Sequence, residues 1–237
     1  MKKTKMVCLA ASWKNHKTCI AGIEVGSEAK GVLIRPVYNC AGDGIPDGRL
    51  VATNGARIGV LDIVETQIEQ PAPLYHQREN ALLAANAEWS IIGAADRASI
   101  YAFASEPASL WLNGFHGNND RIPTPLARSL ETSLQLVSVE CALLRRVQYP
   151  ERAQFRIQFR HAGAHYDLTV TDPYIRNIFQ PGEDGTQVLP AGIICVSLTD
   201  DLNGYCYKLA ASIITPERFA TKSLCQSFTR SGIPATL

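Results

Sequence analysis

The chain has 237 residues, of which 46% are hydrophobic and 19% are charged, and its formal net charge is +1. This length and composition are typical of a globular protein with one large or two small domains, and they exclude a disordered or fibrous chain. The balanced charge excludes a surface that attracts nucleic acid or anionic membranes as a whole, so any site for a polyanion must be a local patch.

The first third of the chain predicts an antiparallel β meander. Its runs of β-branched or apolar residues are bounded by clusters of Gly, Asn or Lys, as strands are. The runs extend over Lys5 to Ser12, Thr18 to Val25, Gly31 to Val37 and Arg57 to Glu65. Short strands with long polar connections favour a small barrel over a sheet flanked by helices.

The middle of the chain predicts little strand. Residues from Ala81 to Ser105 are rich in alanine, and a helix is predicted from about Ala94 to Ala104. The next stretch, Leu110 to Pro123, is aromatic and rich in Gly and Asn. It predicts a long ordered loop between the two halves of the chain, and such loops often carry functional groups.

The second half predicts a strand or bent strand pair, a hairpin, a helix and two further strands. The strand runs extend over Leu134 to Val147, Ala153 to Arg160, His165 to Thr171, Ile193 to Leu198 and Tyr205 to Ile214. A helix is predicted over Pro173 to Phe179, because the capping residue Asp172 precedes a proline that suits the first helical position. Five strands with a helix between the third and the fourth are the layout of an OB barrel.

Several motifs follow one another along the chain in an order that resembles a known family. They are Val7-Cys8-Leu9-Ala10-Ala11-Ser12, Cys19-Ile20-Ala21-Gly22, Ile34-Arg35-Pro36-Val37, Leu61-Asp62-Ile63-Val64-Glu65, Gln77-Arg78-Glu79-Asn80, Leu110-Trp111-Leu112-Asn113-Gly114, Asn119-Asp120-Arg121-Ile122, Thr171-Asp172-Pro173 and Asn203-Gly204-Tyr205-Cys206-Tyr207-Lys208-Leu209. Together they resemble the bacterial family called dual OB-containing domain proteins. The resemblance implies two OB-like barrels and, by analogy with other OB modules, binding of nucleic acid or a nucleotide. It also suggests a link to conflict between phage and host.

We therefore predict a mainly β protein with two OB-like small barrels, joined by a long loop with short helices. Residues 1–110 are predicted to form the N-terminal barrel with a helical extension. Residues 111–132 are predicted to form the linking loop, and residues 133–237 the C-terminal barrel and a tail.

The location of the protein is predicted from its cysteines and its apolar runs. Its 7 cysteines lie in apolar runs without a C-x-x-C pair, which favours reduced thiols and no disulfide. The apolar stretch after the N-terminal lysines is shorter than the roughly 7 to 15 residues of a secretory signal. No run approaches the roughly 20 apolar residues of a membrane span. We expect a cytoplasmic protein with no membrane partner.

Arginines in the second half give the strongest indication of a polyanion site. Arg156 and Arg160 alternate with Phe155, Ile157 and Phe159, so a strand would bury the aromatic and aliphatic residues and present the arginines on its other face. Such a stripe could bind phosphates, and arginine also stacks on bases. The alternative is a solvated outer face with surface salt bridges.

The aromatic loop predicts either a base pocket or an ordinary turn. Trp111 and Phe115 could form an aromatic platform, and Asn113 and Asn119 could recognise the polar edge of a base. Asn-rich runs and Asn-Gly pairs are also typical of tight turns, in which the amides cap the backbone.

Further polar residues leave two interpretations open. The run His76-Gln77-Arg78-Glu79-Asn80 predicts a binding loop between the barrels or the start of a helix. Arg35 is an isolated charge in an apolar strand, and it is either an anion ligand or half of a structural pair with a carboxylate such as Asp62 or Glu65. Arg121 directly follows Asp120 and either binds a ligand or pairs with that carboxylate.

No metal or cofactor is predicted. His161 and His165 flank a hairpin turn near Asp167, but no histidine or cysteine spacing completes a zinc site. The motifs G-x-S-x-G, the P-loop and G-x-G-x-x-G are absent, so the sequence does not support a serine hydrolase, an ATPase or a dinucleotide enzyme.

We predict a non-enzymatic recognition module that binds single-stranded or unstacked nucleic acid, or a nucleotide, in a groove between the barrels. Arg156 and Arg160 would hold phosphates, and Trp111 and Phe115 would stack on bases. Polar base edges would be recognised by Asn113, Asn119 and Gln77, and the predicted site is completed by Arg35, Asn80 and Arg121.

Two further classes stay open. An enzyme acting on a nucleotide or modified base would use Asp120, Glu79 or His76 as acid or base. An adaptor would bind a protein partner through a barrel edge or the linking loop. A pocket closed around those three residues would favour the enzyme, an open basic groove would favour nucleic-acid binding, and an exposed apolar patch would favour the adaptor.

Overall fold

The computed structural model describes residues 1–14, 17–26, 31–150, 153–180, 182 and 185–222. The first sheet contains β1 (Lys2–Lys14), β2 (Lys17–Glu24), β3 (Leu33–Val37), β4 (Ile45–Pro46), β5 (Asp62–Pro71), β6 (Asn80–Leu83) and β7 (Ser90–Ala94). The second contains β8 (Arg121–Pro123), β9 (Leu134–Val139), β10 (Ala142–Gln148), β11 (Ala153–His161), β12 (Ala164–Val170), β13 (Thr186–Leu189), β14 (Gly192–Leu198) and β15 (Tyr205–Ile214). The helical elements are a 3-10 turn (Asp47–Arg49), α1 (Arg97–Phe103), α2 (Thr124–Ala127), α3 (Pro173–Ile178) and α4 (216–222).

The N-terminal barrel closes in the order β1-β2-β3-β6-β5, because β5 pairs back onto β1. Within it β3 and β6 are parallel, and the other neighbours are antiparallel. A register shift between Cys8 and Ala10 marks a bulge in β1, where the strand bends and follows the barrel wall. A closed five-strand barrel of this kind is an OB fold.

The second sheet has the order β13-β10-β11-β12-β15-β14-β9, and its β12 and β15 are parallel. The run from β10 to β9 begins and ends on neighbouring stretches of the chain, because β9 and β10 are consecutive strands that are separated by Glu140 and Cys141. The side chain of Asp172 caps α3, which lies between β12 and β14 in sequence. The predicted strand pair, hairpin and capped helix are confirmed, and so is the mainly β fold class.

The two barrels share one apolar core. Val7 and Leu9 of β1 pack in the same buried cluster as Leu136 of β9 and Ile193 of β14. In contrast, Met6 and Cys8 of β1 point into the N-terminal barrel. The alternation of a strand explains this arrangement, because successive side chains of β1 face opposite sides and both sides are apolar.

The sequence predictions for two segments were wrong in part. Residues 81 to 105 were expected to be nearly free of strand, but the structure contains β6 and β7 in this region. Alanine-rich runs have weak strand propensity, and here pairing with β3 and β5 overrides it. The loop that was expected to end at Pro123 ends earlier, since β8 pairs with β15. The division into 1–110, 111–132 and 133–237 stays a prediction.

No helix within the described ranges is long and apolar enough to cross a membrane. The described cysteines Cys8, Cys19, Cys40, Cys141, Cys195 and Cys206 are free thiols. Cys225 and the rest of the predicted tail after residue 222 lie outside the described residues.

Candidate functional site

A groove of about 480 Å³ lies between the two barrels. Its lining comes from both halves of the chain: Ala11, Trp13, Thr18, Asp47, Arg57, Ile58, Gly59 and Val60 from the first, and Thr171, Asp172, Pro173, Tyr174, Arg176 and Arg218 from the second. The lining therefore combines aliphatic residues, two aromatic rings, three guanidinium groups and two carboxylates.

The wall from the N-terminal barrel is organised by the carboxylate of Asp47. It accepts hydrogen bonds from the Trp13 indole at 3.3 Å, the Thr18 hydroxyl at 2.6 Å and the Arg57 guanidinium at 2.9 Å. The bond from Thr18 is the main reason that the pKa of Asp47 lies below its usual value. The ionised carboxylate thus orients the Trp13 ring, which remains 46% exposed, and Arg57, whose side chain is 58% exposed.

The wall from the C-terminal barrel is organised by Asp172, which is 1% exposed. Its carboxylate accepts hydrogen bonds from the backbone N–H of Tyr174 at 3.1 Å and of Ile213 at 2.9 Å, and from the Arg218 guanidinium. That guanidinium lies 4.5 Å from the centroid of the Tyr174 ring. Arg176 is exposed and has no hydrogen bond or ion pair to another residue in the part of the chain that the structure describes.

The groove has the composition that unstacked nucleic acid requires. Aromatic rings can stack on any base, because every base has a π face, and guanidinium groups can bind phosphates or stack on bases. Arg57, Arg176 and Arg218 outnumber the two carboxylates, Asp47 and Asp172, so the groove is locally basic. Arg57 pairs with Asp47 at the surface, and such exposed pairs are weak enough to rearrange around a phosphate.

Five of the residues singled out from the sequence lie at the contact between the barrels, away from this groove. Arg35 donates to the hydroxyls of Ser133 at 2.6 Å and Ser197 at 3.2 Å, and its guanidinium lies 3.5 Å from Glu79. The glutamate also accepts a hydrogen bond from the Ser133 hydroxyl. The structural partner of Arg35 is therefore Glu79, and the suggested pairing with Asp62 or Glu65 was wrong.

The remaining residues of this contact are buried too. His76 Nε2 lies 3.0 Å from the carbonyl oxygen of Thr199, and Gln77 donates to Asp200 at 2.9 Å. Asn80 in turn donates to Gln77 at 3.1 Å. Burial is the main reason that the pKa of His76 lies below its usual value. Residues 76–80 therefore lie at the junction of the two barrels.

The aromatic loop is held by its own polar side chains. The Trp111 indole donates to the carbonyl oxygen of Thr132 at 2.9 Å, and Asn113 donates to the Tyr166 hydroxyl at 2.7 Å. Asn119 donates to the carbonyl oxygen of His165 at 2.9 Å. Phe115 is 38% exposed and faces solvent in part. Asn119 thus has the backbone-capping arrangement, because it also accepts from the backbone N–H of Gly114 at 3.0 Å, whereas Asn113 bonds to a side chain.

Arg156 is not part of an exposed stripe. Ile157 and Phe159 are in the barrel core as predicted, but Arg156 is only 7% exposed. Its guanidinium donates to Asp167 at 2.7 Å and to Thr169 at 3.1 Å, and it lies 3.6 Å from Asp120. The reason is the register of the sheet, which puts Arg156 of β11 opposite Thr169 of β12, next to Asp167. Arg160, in contrast, is exposed.

Asp120 is the centre of a second set of ion pairs. Arg121 donates to it at 3.0 Å, and His116 Nδ1 lies 3.2 Å away. The Arg121 guanidinium also lies 4.9 Å from the centroid of the Tyr207 ring. The pair of Arg121 with Asp120 is therefore present in the structure, and ligand binding by Arg121 stays a prediction.

Lys208 is a residue that the sequence reasoning missed. It is 1% exposed and donates to the carbonyl oxygen of Leu112 at 2.7 Å and the amide oxygen of Asn113 at 2.9 Å. Burial lowers its pKa to about 7, although the nearby Asp120 acts in the opposite direction. The signal in the sequence was a lone charge within the apolar run of β15.

The groove residues were missed as well. Trp13 stands next to a polar turn, and Tyr174 and Arg176 follow the capping motif of α3, so each had a local structural explanation. Nothing in the spacing of residues 13, 57 and 174 indicates that they meet. Among the described residues, no group of three histidine, cysteine or acidic side chains could hold a metal ion.

A known protein family matches the chain over both barrels. A family model described as the dual OB-containing domain matches residues 4–213. The chain belongs to this family. The match begins in β1 and ends in β15, so it includes both barrels of the dual OB domain and stops before α4.

Solved structures resemble this dual OB protein at low sequence identity. The tetrameric p202 HIN2 is 7% identical, with a TM-score of 0.36, and the match covers 90% of this chain and 94% of that one. A replication protein A heterotrimer bound to ssDNA is 10% identical, with a TM-score of 0.35 and 98% of this chain covered. The match spans 52% of that replication protein A chain. No curated protein matches the sequence.

Proposed function

We propose that this dual OB-containing protein binds single-stranded or otherwise unstacked nucleic acid in the groove between its barrels. The observation that carries the proposal is the pairing of a half-exposed Trp13 with exposed arginines in one groove of about 480 Å³. This volume lies within the roughly 300 to 1,000 Å³ of small-molecule sites, so the groove accommodates a nucleotide unit.

The groove residues divide into two roles. Trp13 stacks on a base, and the Tyr174 ring, backed by Arg218, forms an aromatic surface on the other wall. Arg57 and Arg176 bind phosphates at the rim. Bases inside a duplex are stacked on each other and are not available to such rings, so the ligand is a single strand, a loop or an end.

The contacts predicted from the sequence have a smaller part in this proposal. Arg160 and Phe115 have exposed side chains, and we propose them as secondary contacts on the surface of the C-terminal barrel. Arg156 and Gln77 are engaged by acidic partners and instead support the fold.

The competing classes have less support. None of His76, Glu79 and Asp120 lines the groove, and the first two belong to a different cluster from the third, so no specific observation favours an enzyme. An adaptor would bind a protein partner through apolar contact, so its affinity for that partner should be kept when Trp13 is replaced by another large apolar residue. A role in conflict between phage and host stays a prediction, which a plaque assay on cells with and without the gene would test.

The proposal is tested by measuring the affinity of the purified protein for labelled oligonucleotides at several salt concentrations. Trp13→Ala removes the stacking ring and should weaken binding by about 1 to 3 kcal/mol, with little change in salt dependence. Replacing both Arg57 and Arg176 by Gln should reduce the slope of log affinity against log salt by about 1.4, which is roughly 0.7 for each phosphate contact.

Matched controls separate the groove from the rest of the surface. Tyr75→Ala removes an aromatic ring that is 57% exposed and does not line the groove, and Arg146→Gln removes an exposed arginine outside it. Both controls should bind like the wild type. Failure of the wild type to bind any single-stranded DNA or RNA would reject the proposal.

A further inference from the structure

Helix α4 contacts both walls of the groove. Arg218 and Lys222 are four residues apart in this helix, so their side chains extend from the same face. Arg218 reaches the C-terminal barrel and Lys222 reaches the N-terminal barrel. The two contacts are made to buried carboxylates, which makes them different from ordinary surface pairs.

Arg218 fixes the wall that carries Tyr174. Its guanidinium donates to both oxygens of Asp172, the capping residue of α3, and to the carbonyl oxygen of Ile213 at 2.8 Å. It also lies on the Tyr174 ring. Because Asp172 holds the first turn of α3 as well, Arg218 ties the start of this helix to the end of β15.

Lys222 fixes the opposite wall. Its Nζ lies 2.6 Å from the carboxylate of Asp62, whose side chain is 2% exposed. The other oxygen of this carboxylate accepts a hydrogen bond from the backbone N–H of Gly59 at 2.8 Å. Gly59 lines the groove between Ile58 and Val60. The lysine therefore acts on the groove backbone through one intermediate residue.

Two further observations set this helix apart. Phe219, between the two cationic residues, packs against the apolar core that both barrels share. The family model ends at residue 213, so α4 lies outside the matched residues even though it supplies part of the groove. The groove is thus completed by a segment that is not part of the matched dual OB region.

We propose that α4 is a positioning element that holds the two groove walls at the separation needed for an unstacked strand. Arg218 holds the Tyr174 wall and Lys222 holds the wall of residues 58–60, and Lys222 does so without contacting the ligand. The inference rests on the proposed binding function, but its structural part can be measured without nucleic acid.

The test uses Lys222→Met in the full chain, with Lys222→Arg as the conservative variant. Residues that act on a site without touching its ligand change affinity by roughly 2-fold to 30-fold. Lys222→Met should weaken oligonucleotide binding within this range and leave the salt slope unchanged, and Lys222→Arg should restore the affinity. Lys2→Met is the matched control, because Lys2 pairs with Glu24 at 3.3 Å on the exposed surface and away from the groove.

Hydrogen exchange measured by mass spectrometry gives the second readout. Without Lys222, peptides covering residues 57–62 should exchange faster than in the wild type, whereas Lys222→Arg and Lys2→Met should not differ from it. If Lys222→Met does not fold, Lys222→Gln keeps a hydrogen-bond donor for Asp62 and is used in its place.

The outcomes separate the two proposals. Unchanged exchange in residues 57–62 overturns the positioning role, and so does wild-type affinity in a variant whose melting temperature has fallen. A flattened salt slope in Lys222→Met also overturns it, since the lysine would then contact phosphate directly. Faster exchange in a protein that binds no oligonucleotide supports the positioning role and rejects the binding function.

Discussion

Two sets of arginines in this chain have the same charge and opposite surroundings. Arg57 and Arg176 stand in the groove with exposed side chains, and Arg176 has no ionic partner among the described residues. Arg156 belongs to a polar cluster under the aromatic loop, where Asp120 and Asp167 surround it. The difference teaches that an exposed guanidinium, and not an arginine in a strand pattern, is what a phosphate site needs.

The largest expected effect distinguishes the buried set from the exposed one. Arg156→Gln leaves Asp167 buried with one partner fewer, and breaking such a pair costs about 3 to 5 kcal/mol of unfolding free energy. We expect the lower end, about 3 kcal/mol, because Arg145 still donates to Asp167 at 2.6 Å. Urea unfolding of the variant measures the loss.

The exposed Arg160 is the control for this experiment. Arg160→Gln should change the unfolding free energy by no more than about 1 kcal/mol. Equal stability of the Arg156 and Arg160 variants would contradict the burial of Arg156, and would return both residues to the exposed stripe that the alternation predicts.

The second effect concerns Lys208, because burial lowers the pKa of this lysine to about 7. The pKa of an unfolded lysine is about 10.4, so above pH 7 the unfolded chain binds a proton that the folded chain has lost. This lysine therefore makes the unfolding free energy rise with pH, by at most about 1.4 kcal/mol per pH unit. The stability that it adds at higher pH is lost as the pH falls through about 7.

The window for this measurement is limited by two buried thiols. Burial raises the pKa of Cys8 and of Cys195 to about 12, so above about pH 8.5 these thiols stay protonated while unfolded ones ionise, and stability falls. Unfolding should therefore be followed between pH 7 and about 8.5, in the wild type and in Lys208→Met. The same pH slope in both proteins would show that Lys208 keeps its proton in the folded protein, and would contradict the lowering of its pKa by burial.

The smallest effect is expected at Arg57. Because its pair with Asp47 is exposed, Arg57→Gln should change the unfolding free energy by about 0 to 1 kcal/mol. For this variant, the slope of log affinity for an oligonucleotide against log salt should fall by roughly 0.7, which corresponds to one phosphate contact. A large loss of stability, or an unchanged slope, would place Arg57 with Arg156 among the structural arginines.

Much of the second barrel could be predicted from local pattern. The strand of Tyr205–Ile214 was predicted to the residue, and the helix after Asp172 followed from the order of a capping residue and a proline. These features depend on short-range chemistry. They are the alternation of side chains along a strand, the fixed φ of proline, and a carboxylate that accepts a hydrogen bond from a backbone N–H in the first turn of the helix. The strands β6 and β7, in an alanine-rich region, lacked such a signal and needed their partners in the sheet.

From the sequence, only the location of the candidate site could be predicted, and not the residues that line it. A groove between the barrels was expected from the fold, but the residues chosen for it were mostly used elsewhere. Gln77 donates to Asp200, more than a hundred positions later in the chain, and no periodicity reveals that pairing. The groove residues were overlooked for the converse reason, since Trp13 and Tyr174 are distant in sequence and meet only when the barrels pack.

The sequence by itself determined the fold class, most strands and the capped helix of the second half, and the family, because these depend on alternation, capping and motif order within short stretches. Tertiary structure alone decided which charges are buried and which are free. The reason is that the solvation of a charge depends on what packs over it, and here the covering groups come from strands, loops and helix α4 in distant parts of the chain.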